Sequence, residues 1–286
     1  MGDVEKGIIS TLCYSSIFNW PLTYNEIHKY LYKVEIDYYS LSGNIINLLK
    51  EGMISYNNGL FCLSGEEKSF ENRLNTINDS FKLLKKGIGF GNLLGNTVPG
   101  IKFVGISGSI AAGSVGDIDL FIITSKELYK TRFLSMIISK IANKLLGRKF
   151  YCLNFFLSEN NLEISEKNIY TAREIAQLIP VFDVGIYEMF IDANRWIYSL
   201  LPNFRPYEIA KSKDKKLFKN ILGALYSFLS EKLIMELQLE FLKHKYDSIS
   251  GDIEINDKIC KINFTDNSSR ILRLFNEKIK KYGIEL

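Results

Sequence analysis

Two short stretches decide how this chain is read: Gly105-Ile106-Ser107-Gly108-Ser109 and, after a brief spacer, Asp117-Ile118-Asp119-Leu120. Successive side chains of a strand point to opposite faces, so Asp117 and Asp119 are expected on one face, with Ile118, Leu120 and Ile122 on the other. Neighbouring carboxylates repel and raise each other's proton affinity, an arrangement that a bound cation relieves. Carboxylate oxygens suit Mg²⁺, which takes one or two of them and completes its shell with phosphate oxygens and water. The missing side chain at Gly108 lets backbone N–H groups approach a polyphosphate, and the Ser109 hydroxyl adds a donor. A turn of small residues, including Ala111, Ala112, Gly113, Ser114 and Gly116, feeds the acidic strand. Phosphate donors opposite a metal-holding pair are the parts needed for phosphoryl or nucleotidyl transfer. The plainer alternative, a solvated acidic edge strand, does not account for Phe121-Ile122-Ile123 beside it.

Outward from this centre, strands are expected over residues 101–106, 117–124 and 150–157, with a helix over 126–146. The last of these strands, Phe150-Tyr-Cys-Leu-Asn-Phe-Phe-Leu157, is nearly all apolar, and alternation places Phe150, Cys152, Asn154 and Phe156 on one face. Helices are expected over 165–178, 183–200, 207–246 and 267–281, and a small hairpin over 253–264. Upstream, Ile8, Ile9 and Leu12 repeat at helical spacing before Pro21, and Thr23-x-x-Glu26 reads as a capping box. A third helix over 40–51 stops at Gly52, and Asn57-Asn58-Gly59 between short apolar runs signals a hairpin. Residues 66–86 read as a polar connecting helix, followed by a mobile loop at Gly87, Gly89, Gly91 and Gly95. The chain is therefore expected to be α+β. Its parts are an N-terminal three-helix-and-hairpin unit (1–65), a connector (66–100), a small mixed-sheet core (101–160) and a helical C-terminal region (161–286).

The Gly108-Ser109 pair and the Asp117-x-Asp119 strand resemble the polymerase-beta-like nucleotidyltransferase superfamily over residues 103–158. The N-terminal layout resembles a winged helix, and the whole chain is loosely similar to proteins that join a winged helix to such a domain and a helical tail. The resemblance implies transfer of a nucleoside monophosphate from a nucleoside triphosphate, with ATP as the expected donor, to a small-molecule or protein acceptor, releasing pyrophosphate. It implies that Gly108 and Ser109 contact the triphosphate and that Asp117 and Asp119 hold Mg²⁺. Relatives carry a third carboxylate on the next sheet strand, where this chain offers only Asn154, a neutral side chain that can orient a hydroxyl but not act as a base. An inactive nucleotide-binding scaffold, or a regulator acting through its winged helix, is the alternative.

Other residues are weighed against plainer roles. Glu174 and Gln177, one helical turn apart, are candidate substitutes for the missing acid, but read first as an exposed polar face. Arg173 and Lys149 read as solvated rather than phosphate-binding. Tyr187, Phe190 and Trp196 read as packing before an acceptor pocket, and the run Lys211–Lys216 as a solvated turn. The third helix carries only Lys50, so nucleic acid is not expected as a partner. Lys and Arg number 36 against 32 Asp and Glu, a balance that demands neither nucleic acid nor a membrane. The N-terminus has no signal-peptide pattern, no window is apolar enough to span a bilayer, and the four scattered cysteines suit a reducing compartment. A cytoplasmic protein is expected.

Overall fold

The computed structural model describes residues 1–146, 151–212, 216–246, 252–263 and 267–285. The chain is α+β. Its first unit comprises α1 (Asp3–Ser16), β1 (Leu22–Thr23), α2 (Tyr24–Lys29), α3 (Leu41–Lys50), β2 (Ile54–Asn57) and β3 (Leu60–Leu63). Local chemistry sets these elements. The Thr23 hydroxyl accepts the Glu26 N–H, while the Thr23 N–H donates to the Glu26 carboxylate, closing the expected capping box. Asn58 and Gly59 both have positive φ (48° and 82°), the two-residue turn that matches strand twist, and it joins β2 to β3 in register Asn57↔Leu60. The short β1 completes a three-stranded sheet in the order β1-β3-β2.

The connector is one helix, α4 (Lys68–Thr97), and runs through the glycines expected to form a loop. Gly87, Gly91 and Gly95 recur every fourth residue and therefore line one helix face. A Cβ at Gly95 would lie 2.2 Å from the Phe182 ring, and one at Gly87 would lie 2.9 Å from Ile106. The glycines form a bare stripe that lets the helix settle on the sheet, and that close approach outweighs their poor helix propensity.

The rest of the chain forms β4 (Ile101–Ser107), α5 (Gly108–Ala111), β5 (Ile118–Thr124), α6 (Leu128–Leu145), β6 (Tyr151–Ser158), α7 (Ile169–Gln177), β7 (Ile179–Asp183), α8 (Tyr187–Ala193), α9 (Ile197–Leu200), α10 (Lys216–Phe228), α11 (Glu231–Tyr246), β8 (Asp252–Ile255), β9 (Ile259–Asn263) and α12 (Asn267–Lys280). Six strands form a mixed sheet in the order β7-β4-β5-β6-β9-β8, in which β5 and β6 run parallel and the other neighbours antiparallel. The region expected to be chiefly helical thus supplies three of its strands. Within it, β7 interrupts the helical pattern because Pro180, which lacks an N–H, sits at a register shift of an edge strand. The expected hairpin is β8–β9, which extends the main sheet through β6; Phe264 lies outside the described residues.

The sheet separates two cores. Val104, Ile106, Ile118, Leu120, Ile122 and Phe156 pack with residues of α4, α6, α10 and α11. Phe103, Phe121, Ile123 and Leu157 pack on the other face with residues of α1, α3, α7, α8 and α12. The N-terminal unit therefore shares a core with the sheet. Among the described residues no helix is long and apolar enough to cross a membrane.

Candidate active site

The register of the sheet places Ser107, the last residue of β4, opposite Asp119 near the start of β5. The Ser107 hydroxyl donates to the Asp119 carbonyl at 3.4 Å. Gly108 follows with φ +65°, a left-handed conformation that favours glycine, and turns the chain into the short α5. A Cβ on Gly108 would lie 2.7 Å from Asp119 Oδ2, and one on Gly116 would lie 2.3 Å from Ser109 Oγ. The turn is thus bare where the carboxylate and the serine hydroxyl approach it.

Ser107, Gly108, Ser109 and Asp119 form one wall of a cavity of about 610 Å³. The same cavity takes Asn154 and Phe155 from β6, Glu174 and Gln177 from α7, Lys261 from β9, and Tyr14, Phe18 and Trp20 from the N-terminal unit. Asp117 precedes β5, is exposed and is not a wall residue. Its Oδ2 lies 3.8 Å from Cys152 Sγ, and Cys152 is the register partner of Asp119. Of the two aspartates expected to hold a metal ion together, Asp119 thus lies on the cavity wall, and Asp117 lies before the strand, exposed and outside the wall.

Asn154 and Phe156 part company, against the expectation that they share a face. Asp119 pairs with Cys152 but Phe121 pairs with Phe155, so β6 carries one extra residue between these pairs. That bulge leaves both Asn154 and Phe155 on the cavity side and sends Phe156 into the opposite core.

The acid missing from β6 has a counterpart on α7. Asn168 caps this helix, its side chain accepting the Thr171 N–H at 2.9 Å. The face expected to be solvated is turned inward: Thr171, Arg173 and Gln177 are buried, and Glu174 is half-buried at the cavity wall. The Glu174 carboxylate lies toward the Gly108 N–H, which favours its charged form. Burial, reinforced by the charge of Asp119, pushes it from 4.5 up to about 7, against the opposing pull of Arg173, the Gly108 N–H and Lys261. Asp119 and Glu174 thus converge on Gly108 from a strand and a helix.

Arg173, expected in solvent, is 5% exposed and stacks on Tyr30 at 3.8 Å and on Tyr14 at 4.9 Å. Of the three aromatics weighed as pocket residues, Phe190 lines the cavity. Tyr187 stacks on Phe103 at 5.3 Å, and the Trp196 indole donates to Asn194. Lys149 lies outside the described residues, as does the middle of the run from Lys211 to Lys216. The contributions of Tyr14, Phe18, Trp20 and Lys261 had no local sequence signal, because the first three arrive with the N-terminal unit that shares a core with the sheet and Lys261 through the pairing of β9 with β6. Comparisons with protein-family models, curated proteins and solved structures returned no match for this chain.

Proposed function

We propose that this chain is a Mg²⁺-dependent nucleotidyltransferase that moves a nucleoside monophosphate from a nucleoside triphosphate, with ATP as the expected donor, to a hydroxyl-bearing acceptor. The observation that carries the reading is the convergence of Asp119 and Glu174 on Gly108 at the wall of a cavity large enough for small-molecule substrates.

The donor chemistry fits the ion. Asp119 at the cavity wall and Asp117 just before the same strand would offer carboxylate oxygens. Two carboxylates and an open remainder suit Mg²⁺, which retains water and takes phosphate oxygens from its substrate. When bound, the ion would neutralise charge on the phosphates. Gly108 and Ser109 would hold the triphosphate through backbone N–H groups and a hydroxyl. Asn154 would orient the acceptor hydroxyl.

Glu174 gives this site a proton acceptor that Asn154 cannot be. With an affinity near neutrality, its carboxylate is partly ionised at physiological pH and able to receive the proton of the attacking hydroxyl. A bond then forms between the acceptor oxygen and the α-phosphorus. The bond from that phosphorus to the bridging oxygen breaks, and pyrophosphate leaves with the electron pair. The test is pyrophosphate release from labelled triphosphates with Mg²⁺ and a panel of hydroxyl acceptors. Wild type should release pyrophosphate and Asp119→Ala should not; equal release by both refutes the assignment.

A further inference from the structure

We propose that Arg173 anchors an anionic group, a carboxylate or a phosphate, on the acceptor, whose apolar body lies against Tyr14, Phe18 and Trp20. Naming the ligand as the acceptor rests on the transferase reading; the binding of an anion at this place does not.

The first support is the state of the guanidinium. Arg173 is 5% exposed, its Nε has no hydrogen-bond partner, and it forms no ion pair among the described residues. Its neighbours are rings, Tyr30 at 3.8 Å and Tyr14 at 4.9 Å, which hold the planar group by its faces. Face contacts leave the donor edge of a guanidinium available, and that edge matches the two oxygens of a carboxylate or phosphate. A buried cation without an anion is costly, so the arrangement is one that a ligand improves.

The surrounding charges point the same way. The adjacent carboxylate, Glu174, lies toward the Gly108 N–H and forms no ion pair with Arg173. Burial, followed by repulsion from Arg173, brings Lys29 down to about 8. Arg270, which is exposed, also lines the cavity.

The third support is independent of charge. Ser15 Oγ and Trp20 Nε1 are buried without hydrogen-bond partners, and both residues line the same cavity as Arg173. Buried polar groups in folded proteins are nearly always partnered, so three unpartnered donors among the residues that line one cavity are unusual.

A charge series on one body tests this in the intact chain. The probes are 4-hydroxyphenylacetate, tyrosol and tyramine, which share a phenol and differ as anion, neutral and cation. Binding is measured by calorimetry with and without ATP and Mg²⁺. The anion should bind wild type roughly tenfold or more tightly than the other two, a preference that survives nucleotide and collapses in Arg173→Gln. Trp20→Phe, which keeps an aromatic face but trims the indole to one ring, should weaken all three probes alike. Equal binding across the series, or a preference for tyramine, overturns the proposal without recourse to any variant. A preference that vanishes when nucleotide is added assigns Arg173 to the donor and overturns its role toward the acceptor. Anion binding that persists in a protein releasing no pyrophosphate leaves the anion site standing and removes the transferase reading.

Discussion

Asp119 rests against the bare backbone of Gly108: a side-chain carbon there would lie 2.7 Å from its Oδ2. The positive φ of Gly108 and the Glu174 carboxylate on its N–H make this residue the joint between strand, turn and helix. Gly108→Ala forces both a left-handed alanine and a displaced carboxylate. The fold should lose about 1–2 kcal/mol, seen as a lower urea midpoint, while ATP binding in the presence of Mg²⁺ is lost. Retained nucleotide affinity in a folded Gly108→Ala protein would show that this joint does not form the nucleotide site.

Glu174 makes stability depend on pH in a definite direction. Below about 4.5, the ordinary value, folded and unfolded chains both hold its proton. Between there and about 7 the unfolded chain releases the proton and the fold retains it, so stability falls as pH rises through this window. Glu174→Gln removes that decline and should gain stability relative to wild type from the acid to the neutral side. Urea midpoints of both proteins on either side of the window measure it; a constant difference contradicts the burial of this acid.

The same substitution should be severe for turnover. Removing a general base costs roughly 10²–10⁴-fold, and wild-type activity should rise as Glu174 deprotonates near pH 7. A pH–rate profile flat through neutrality, or a Glu174→Gln enzyme of normal rate, excludes the base assignment.

Asp119 and Glu174 are electrostatically linked, which gives a test independent of catalysis. Asp119→Asn removes one of the charges that raise Glu174, so the stability window should close at a lower pH. A window unmoved by Asp119→Asn would mean that the charge of Asp119 does not reach Glu174.

The glycine stripe of α4 answers to a simpler measurement. Gly95→Val drives side-chain carbon into the Phe182 ring, where even a Cβ would lie 2.2 Å away, and should cost about 1–3 kcal/mol in urea denaturation. Gly89→Ala, at a position open to solvent, should be neutral or stabilising. Equal effects at both positions would contradict the packing of α4 on the sheet.

These residues also mark where sequence reasoning succeeded and stopped. The Thr23 capping box, the Asn58-Gly59 turn and the alternation of Ile118, Leu120 and Ile122 are local chemistry, and each was legible. The bulge that separates Asn154 from Phe156 was not, because a register shift belongs to the pairing of β6 with β5. Gly87, Gly91 and Gly95 carried a four-residue period whose meaning depended on Phe182, a residue on an edge strand that Pro180 disguised. Glu174 and Arg173 looked like a solvated helix face, since nothing local announces that α5, α9 and α12 pack against α7 or that Tyr14 and Tyr30 cover Arg173.

The central claim is that Asp119 and the Gly108–Ser109 turn together hold a metal-bound nucleotide. ATP affinity measured by calorimetry with Mg²⁺ and with chelator, in wild type and Asp119→Asn, tests it most directly. Wild type should bind ATP only with Mg²⁺, and the variant should not bind it. Affinity that is indifferent to Mg²⁺, or unchanged in Asp119→Asn, would contradict the claim.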